Sequence, residues 1–453
     1  MATITFGGLA TGLNTTSIID ELVKVERRPI TLLQQQQVTI EGKIDLYQQL
    51  SGKIGALKTA VTKLSTASSF FIKTAKSSNE NVLVATSSSN ADAANHSVLV
   101  NRLARASTLA STTFNDTNTT TVGTGTLAIT VGATTTNITV GSTNNTLEGL
   151  RDAINDADAD VTASIVTVNA GPTPSYRLVV SGKSTGLANA VSISAAGLSG
   201  GVAPSFATTQ AADDAELMVD GIAIARAANV VSDVITGVTL DLKSSSPGNE
   251  IQVTVNNDNE AIEEQLTDFV AKYNEVMTFI ADQTKYDSAT EQGGPLIGDS
   301  TLRTLRRTLQ SVITTPVAGS PSILGEIGIA TQKDGALSVN SSKLSDALAN
   351  NLDGVGNLFL ASINGLARAV TNYSDNAIRL GDGILTAHID GAQDEINKIE
   401  DRIAAKEDQV DRFEQDLIRK FTALETLVSQ INSQGNFLTQ QLTALNAQFN
   451  NKK

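Results

Sequence analysis

The sequence contains no cysteine and no tryptophan, and aromatic residues make up only 4% of its 453 positions. Without cysteine the chain can form no disulfide, no thiolate metal site and no catalytic thiol. It has two histidines, His96 in what we expect to be a loop and His388 at the head of a long helix, and we expect a metal site at neither. Because no window approaches 18 consecutive apolar residues, we expect no membrane insertion. The first seventeen residues also lack the features of a cleavable secretory signal.

Positive charge is scarce as well. The chain has 33 Lys and Arg residues against 47 Asp and Glu residues, a net charge of −14. Because binding to a phosphate backbone requires basic patches, we expect no nucleic acid partner. The length leaves room for two to four domains.

The chain does have a long apolar repeat near its C-terminus, from about residue 387 to 449. The aliphatic residues that recur at every seventh position are Ile389, Ile396, Ile403, Val410, Leu417, Leu424, Ile431, Leu438 and Leu445. A second apolar row follows at spacings of three and four. This heptad pattern predicts one long helix, which must pack against a partner because such a helix is unstable alone.

The N-terminal part carries a matching repeat. Its members at sevenfold spacing are Leu33, Ile40, Tyr47, Ile54 and Val61. Residues 1–77 hold nine Lys and Arg against five Asp and Glu, whereas residues 389–449 hold six against eleven. The opposite charge balance predicts an antiparallel pair formed by helices from the two termini. The alternative is that each repeat packs within its own helical bundle.

The start of the N-terminal helix can also be predicted. We expect a glycine-containing lead-in over residues 1–14, with the helix beginning near Thr15. Ile18, Leu22 and Val25 would then form its apolar face, and Pro29 would interrupt or kink it.

The middle of the chain changes from helical to β periodicity. Short runs of β-branched residues predict strands at 81–86, 97–103, 126–131, 137–140, 161–168, 176–181, 191–194, 215–225, 234–242 and 250–255. One helix is predicted within this region, from about Thr146 to Asp156. Helical periodicity returns at residue 261 and again after Ser300. Two more helices are expected at 341–350 and 353–371, and Asp334-Gly335 predicts a hairpin.

Together these patterns predict an α+β multidomain fold with long antiparallel coiled-coil helices from both termini, a helical second layer and β-rich middle domains. The expected parts are a terminal coiled-coil leg (1–40 and 405–453), a helical domain (41–77 and 259–404), a β-rich domain (78–108 and 210–258) and an inserted β-rich domain with one helix (109–209).

Motifs that could carry chemistry fail on their context. Residues 197–201 match the G-x-S-x-G pattern of serine hydrolases, but they predict a Gly/Ser loop because no helix follows. Residues 156–160 could open a calcium loop, but the sixth and twelfth positions of that loop hold Val161 and Thr167 instead of Gly and Glu. A cluster of arginines at 303, 306 and 307 predicts a solvated helix face. We therefore expect no catalysis, no metal and no cofactor.

Several sequence blocks resemble one known family along nearly the whole chain. The blocks include Gly8-Leu-Ala-Thr-Gly12, Glu26-Arg-Arg-Pro29, Val98-Leu-Val-Asn-Arg-Leu-Ala, Val219-Asp-Gly-Ile, Phe269-Val-Ala-Lys-Tyr-Asn, Asp334-Gly-Ala-Leu and Lys420-Phe-Thr-Ala-Leu-Glu. In this order they are similar to flagellar filament cap proteins, the hook-associated protein 2 family.

The resemblance implies a structural role at the tip of a bacterial flagellum. It implies a homo-oligomeric ring that retains exported flagellin and promotes its polymerisation, with the two apolar repeats as the assembly seam. Implied partners are other copies of the chain, flagellin, proteins of the filament tip or hook–filament junction, and an export chaperone. It also implies secretion through the flagellar type III channel without a cleaved signal. The alternatives are an adhesin that binds host glycans or mucin through the β domains, or another flagellar axial protein.

Overall fold

The computed structural model describes residues 11–169, 174–287 and 291–450, so residues 1–10 of the expected lead-in lie outside it. The helices within these ranges are α1 (Thr15–Thr62), α2 (Ala67–Phe70), α3 (Leu147–Asp156), α4 (Asn259–Thr284), α5 (Ser300–Thr314), α6 (Ser341–Asn350), α7 (Leu352–Leu360), α8 (Leu366–Ile378) and α9 (Ile384–Asn450). The chain divides into two compact units, one joining the N-terminal part through Ser65 to the chain from Gln265 onward, the other spanning Thr66–Glu264.

The strands follow in chain order. They are β1 (Lys73–Ser77), β2 (Leu83–Ser87), β3 (Ala94–Arg102), β4 (Thr108–Ser111), β5 (Thr124–Val131), β6 (Thr134–Val140), β7 (Val161–Asn169), β8 (Ser175–Gly182), β9 (Val191–Ser199), β10 (Phe206–Gln210), β11 (Ala215–Val219), β12 (Ile222–Arg226), β13 (Val230–Ile235), β14 (Val238–Leu242), β15 (Ile251–Asn257), β16 (Tyr286–Asp287), β17 (Gln292–Gly293), β18 (Ile329–Thr331) and β19 (Leu337–Val339).

The first unit is built on α1 and α9, which pack antiparallel. Helix α1 begins after Asn14, whose side chain accepts a hydrogen bond from the Ser17 amide, and it continues through Pro29 without a break. Of the two predicted effects of Pro29, the interruption was therefore wrong, and the kink stays a prediction. Proline loses only one helix bond, and packing along a 48-residue helix compensates for that loss.

The predicted apolar face at the start of α1 was also wrong. Ile19 and Val23 are the buried residues, whereas Ile18, Leu22 and Val25 are 38%, 41% and 54% exposed. Both rows repeat at helical spacing, so periodicity alone could not decide which of them faces α9.

A helical body surrounds the C-terminal half of α1. The eight apolar residues predicted for α4 are all buried: Ile262, Leu266, Phe269, Val270, Tyr273, Val276, Met277 and Ile280. The predicted helix over 353–371 is instead two helices, α7 and α8, which are separated at residues 361–365. The Asp334-Gly335 hairpin is present as the antiparallel pair β18–β19.

A clamp of side chains holds that hairpin on α4 and α5. The Asn274 amide bonds both backbone groups of Leu337, accepting from its N–H at 2.7 Å and donating to its carbonyl at 2.8 Å. Tyr273 donates to the Gly335 carbonyl at 2.9 Å. Arg306 is half-buried and donates to the Asp334 carbonyl at 2.5 Å, so the prediction of a purely solvated arginine face was wrong at this position.

The second unit holds two β cores. The first lies between a five-stranded sheet, order β1-β15-β3-β11-β12, and a three-stranded sheet, order β13-β14-β2. The second lies between a four-stranded sheet, order β10-β4-β8-β7, and a three-stranded sheet, order β6-β5-β9. The second core also buries Leu147, Leu150 and Ile154 of α3, the helix predicted there. The fold is α+β with helical ends and a β-rich middle; its division into four parts stays a prediction.

Three expectations for the β region needed correction. The predicted strands 215–225 and 234–242 each lie within a hairpin, β11–β12 and β13–β14, with turns at Asp220-Gly221 and Thr236-Gly237. The run Gly197–Ser199 belongs to β9 rather than to a loop, because it pairs with β5. His96 lies in β3, where its Nδ1 is 2.7 Å from a carboxylate oxygen of Asp220.

Candidate assembly interface

The two predicted seams meet in the antiparallel pair of α1 and α9. Polar side chains bridge the N-terminal segment and α9 at three points. Gln409 donates to Glu26 at 3.0 Å, and Gln37 donates to Glu400 at 3.2 Å. Nearer the start of α1, the Thr11 hydroxyl donates to Glu425.

Between these contacts lies a narrow apolar core. Its buried members are Ile19, Val23, Ile30 and Val410, and its half-buried members are Ile403, Leu417, Ile418 and Phe421. Burying a large aliphatic side chain contributes about 1.5–3 kcal/mol. This stretch buries four such residues, half the number of apolar residues that α4 alone buries in the helical body, so its core is modest by comparison. The sequence pattern did not reveal Ile19, Val23 and Ile30 as core residues. Glu26 stands at the position where the sevenfold row would continue from Leu33 toward the N-terminus.

The predicted seam residues fall into three groups. Ile54 and Val61 are fully buried in the helical body, and Tyr47, Ile396 and Val410 are also buried. The half-buried ones, which edge the helix contacts, are Leu33, Ile40, Ile389, Ile403 and Leu417. The exposed ones, at 41–60%, are Leu424, Ile431, Leu438 and Leu445.

A polar joint connects α1, α5 and α9 near the middle of α1. The Tyr47 hydroxyl donates to Asp299 at 2.5 Å, and Asp299 also caps α5 by accepting from the amides of Thr301 and Leu302. On α9, His388 lies 2.9 Å from the Thr301 hydroxyl, and its ring is 5.9 Å from that of Tyr47.

The pKa values at this joint reflect those contacts. Burial alone would raise the pKa of Asp299, but the hydrogen bonds from Tyr47 and the two amides outweigh burial and lower it. Burial and the neighbouring Asp299 carboxylate raise the pKa of Tyr47 well above its usual value. The carboxylate is therefore charged and the phenol neutral at neutral pH.

The last part of α9 carries apolar residues that nothing in the described chain covers. We call this set the tail stripe: Leu424, Leu427, Ile431, Phe437, Leu438, Leu442 and Leu445, each 41–65% exposed. It continues the sevenfold phase of the buried seam, and Glu425 is the one charged residue between Leu424 and Asn450. Exposed apolar rows of this length mark binding surfaces.

In the described residues no helix is both long enough and apolar enough to cross a membrane. The same part of the chain contains no group of three or more His, Asp and Glu side chains that could hold a metal ion.

Comparison with known proteins connects this arrangement to one family. The family model for the flagellar hook-associated protein 2 N-terminus matches residues 11–107, and the model for its C-terminus matches residues 212–433. The N-terminal model covers the whole N-terminal seam, and the C-terminal model covers the C-terminal seam as far as Ile431. The region between them, 108–211, corresponds closely to the second β core.

Individual relatives match along the full length. Flagellar hook-associated protein 2 of Escherichia coli K12 is 32% identical over 97% of this chain and 98% of its own. The B-type flagellar hook-associated protein 2 of Pseudomonas aeruginosa PAO1 is 31% identical, again over 97% of this chain and 98% of its own.

A solved structure agrees in fold. The D1-D2-D3 domains of the Escherichia coli flagellar cap protein FliD superpose with a TM-score of 0.63 at 31% identity, covering 77% of this chain and 99% of that one. With both family models matched in chain order and relatives matched end to end, the chain belongs to the flagellar hook-associated protein 2 family.

Proposed function

We propose that this chain is a structural assembly protein that forms an oligomeric cap at the distal end of a bacterial flagellar filament. The cap retains exported flagellin and promotes its polymerisation at the tip. Membership of the family supports this role, since a structural relative is named a flagellar cap protein. The proposal includes no catalytic step and no cofactor.

The observation that carries the proposal is the change of exposure along α9. As far as Val410 the sevenfold seam of α9 is buried or half-buried, and from Leu424 onward its large apolar residues are exposed. A helix that must hold its own chain and also contact an assembly needs both kinds of surface. We assign the antiparallel pair to the leg that keeps the cap together, and the tail stripe to contacts with filament subunits.

The modest core of the leg suits a cap that moves as the filament grows. As the filament lengthens, the leg must release one contact with the filament and form the next. A deeply buried, charged interface would hinder this release. From Leu427 onward the tail stripe combines exposed apolar residues with neutral polar neighbours, so repeated docking and release there need no charge to be desolvated.

The proposed partners are other copies of the chain in a ring, flagellin, and proteins of the filament tip or hook–filament junction, with an export chaperone before secretion. Head-to-tail contacts with rotational closure would build the ring. Export through the flagellar type III channel accords with a chain that has no disulfides to form or break.

The test is a double change on the tail stripe, Ile431→Asp with Leu438→Asp. Both side chains are more than half exposed, so the monomer should keep its fold while the charged stripe loses its apolar contacts. Cells carrying the variant should release unassembled flagellin into the medium and form stubs instead of filaments.

The matched control places the same two charges on the opposite side of α9, as Asn436→Asp with Thr443→Asp. Both positions are exposed and also seven residues apart. These cells should grow normal filaments. Normal filaments in both strains, with the variant chains found at the tips, would show that the tail stripe has no assembly role.

A further inference from the structure

A cleft of about 490 Å³ lies in the second unit, away from every residue used in the proposed function. Its aliphatic lining comes mainly from β12 and the end of β13 and comprises Val219, Ile222, Ile224, Val234 and Ile235. Ile222 is 67% exposed, so part of this lining is open to solvent. A concave aliphatic surface with a few polar groups at its rim is typical of a binding site.

The cleft runs between two sheet edges. Strand β12 is the outermost strand of the five-stranded sheet and pairs with β11, whereas β13 is the outermost strand of the three-stranded sheet and pairs with β14. No strand of the described chain pairs with the outer side of either one. Edge strands offer unpaired N–H and C=O groups to any extended segment that reaches them.

The register shows which groups β12 offers. The turn Asp220-Gly221 has positive φ at both residues, 49° and 81°, as a type I′ hairpin requires. The flanking pair of Val219 and Ile222 is therefore hydrogen bonded, and the pairs alternate from there. By this alternation the backbone groups of Ala223 and Ala225 point away from β11, toward the open edge, where the Ala225 carbonyl already accepts from the Arg226 guanidinium at 2.8 Å.

The rim of the cleft carries net negative charge. Its carboxylates are Asp92, Asp220 and Asp233, and its one guanidinium is that of Arg226. The Arg226 Nε donates to both oxygens of Asp233 at 3.0 Å. Asp220 is likewise bonded to His96. Asp92 is therefore the rim carboxylate that belongs to neither the Arg226–Asp233 pair nor the His96–Asp220 pair.

We propose that this cleft, the β12 cleft, binds an extended segment of another protein that carries alternating apolar side chains and at least one Lys or Arg. The segment adds to β12 as a strand, through both backbone groups of Ala223 and the N–H of Ala225. Its apolar side chains cover Ile222 and Ile224, and its cation faces the carboxylate rim, where opposite charge favours the encounter. The site is independent of the cap role.

A second copy of this chain fits the cleft less well. The edge strands β2, β6, β7, β9, β10 and β13 contain no Lys or Arg. Strand β12 itself carries Arg226, but that guanidinium is already bonded to Asp233 of its own chain. Strand β1 contains Lys73 and Lys76, but it packs beside β2. Another protein is therefore the better match to the charge of the rim.

The probe is an acetylated and amidated heptapeptide of alternating Val and Lys, added to the full-length chain. NMR-detected hydrogen exchange should show at least tenfold protection of the amides of Ala223 and Ala225 at saturating peptide. Calorimetry should show binding that weakens as salt is raised. Unchanged exchange at both amides overturns the strand addition, even when the peptide binds elsewhere.

Two proline variants separate edge pairing from general destabilisation. Ala223→Pro removes an outward N–H without removing a bond to β11, and it should weaken peptide binding at least tenfold. Thr135→Pro makes the equivalent change on edge strand β6, beside the two-residue turn that joins Val131 to Thr134. This control should bind the peptide normally. Equal loss in both variants overturns the assignment to β12.

The preference for a cationic segment is tested separately. Asp92→Asn leaves the backbone unchanged and should weaken peptide binding about threefold, and a peptide with Glu in place of Lys should bind at least tenfold more weakly. Equal affinity for the two peptides overturns the cationic preference. If Ala223→Pro alters self-association of the chain without peptide, a second copy occupies the cleft and the proposal is wrong.

Discussion

The hydroxyl of Tyr47 lies 2.5 Å from Oδ2 of Asp299, which ties the middle of α1 to the N-terminus of α5. C-terminal to this contact the large apolar residues of α1 are fully buried, as at Leu50 and Ile54; N-terminal to it, Ile40 is only half-buried. The contact therefore marks the point where α1 passes from the helical body into the pair with α9. A single carboxylate both caps α5 and anchors α1 there.

Tyr47→Phe should lower the free energy of unfolding by about 2 kcal/mol, because it removes a hydrogen bond to a charged and partly buried group. Urea denaturation of the full chain, followed by circular dichroism, measures the change. Tyr286→Phe is the control, since that side chain is 59% exposed. Equal midpoints for the two variants would contradict a stabilising role for the joint.

The same joint predicts a dependence on pH. Because the pKa of Asp299 is lower in the folded chain than its ordinary value of 3.8, its contribution is complete above that value and is lost as pH falls through the folded pKa. The difference in Tm between the wild type and Asp299→Asn should therefore be constant from about pH 7 to 5 and shrink below about pH 4. A difference that stays constant down to pH 3 would show that the charge of Asp299 does not matter.

The long-range pairing of the termini was predictable from the sequence because it depends on a repeat that both ends share. Sevenfold spacing and opposite charge balance together specified two long antiparallel helices, as observed. The length of each strand was less predictable. Runs such as 215–225 read as one strand because the turn at Asp220-Gly221 interrupts the apolar alternation by only two residues.

The choice of buried face could not be read from the sequence. Ile18 and Ile19 are neighbours of the same residue type, so only the position of α9 decides that Ile19 is covered. The joint was also invisible, because Tyr47 and Asp299 are 252 residues apart and belong to different local patterns. The β12 cleft likewise depends on which strands end a sheet, and a single sequence does not specify strand order.

Asn274→Ala should destabilise the helical body by about 2 kcal/mol. The change removes two hydrogen bonds and leaves both backbone groups of Leu337 without their partner. Thermal unfolding of the full chain measures this, with Asn436→Ala, an exposed asparagine on α9, as the control. An equal Tm for both variants would mean that water replaces the Asn274 amide at little cost.

The leg should respond very differently to charge at its buried and exposed positions. Val410 is 1% exposed and packs with Ile30, so Val410→Asp places an unpaired carboxylate inside the narrow core and should cost about 3 kcal/mol or more. Leu438 is 60% exposed, so Leu438→Asp should leave the stability of the monomer within about 0.5 kcal/mol of the wild type.

Limited digestion with trypsin reports on the pairing of α1 with α9, because Lys24 and Arg27 lie on the stretch of α1 that α9 covers. Val410→Asp should speed cleavage there at least tenfold while the second unit remains intact, and Leu438→Asp should not change the rate. If the two variants are cleaved at the same rate, the pairing of α1 with α9 does not depend on the seam.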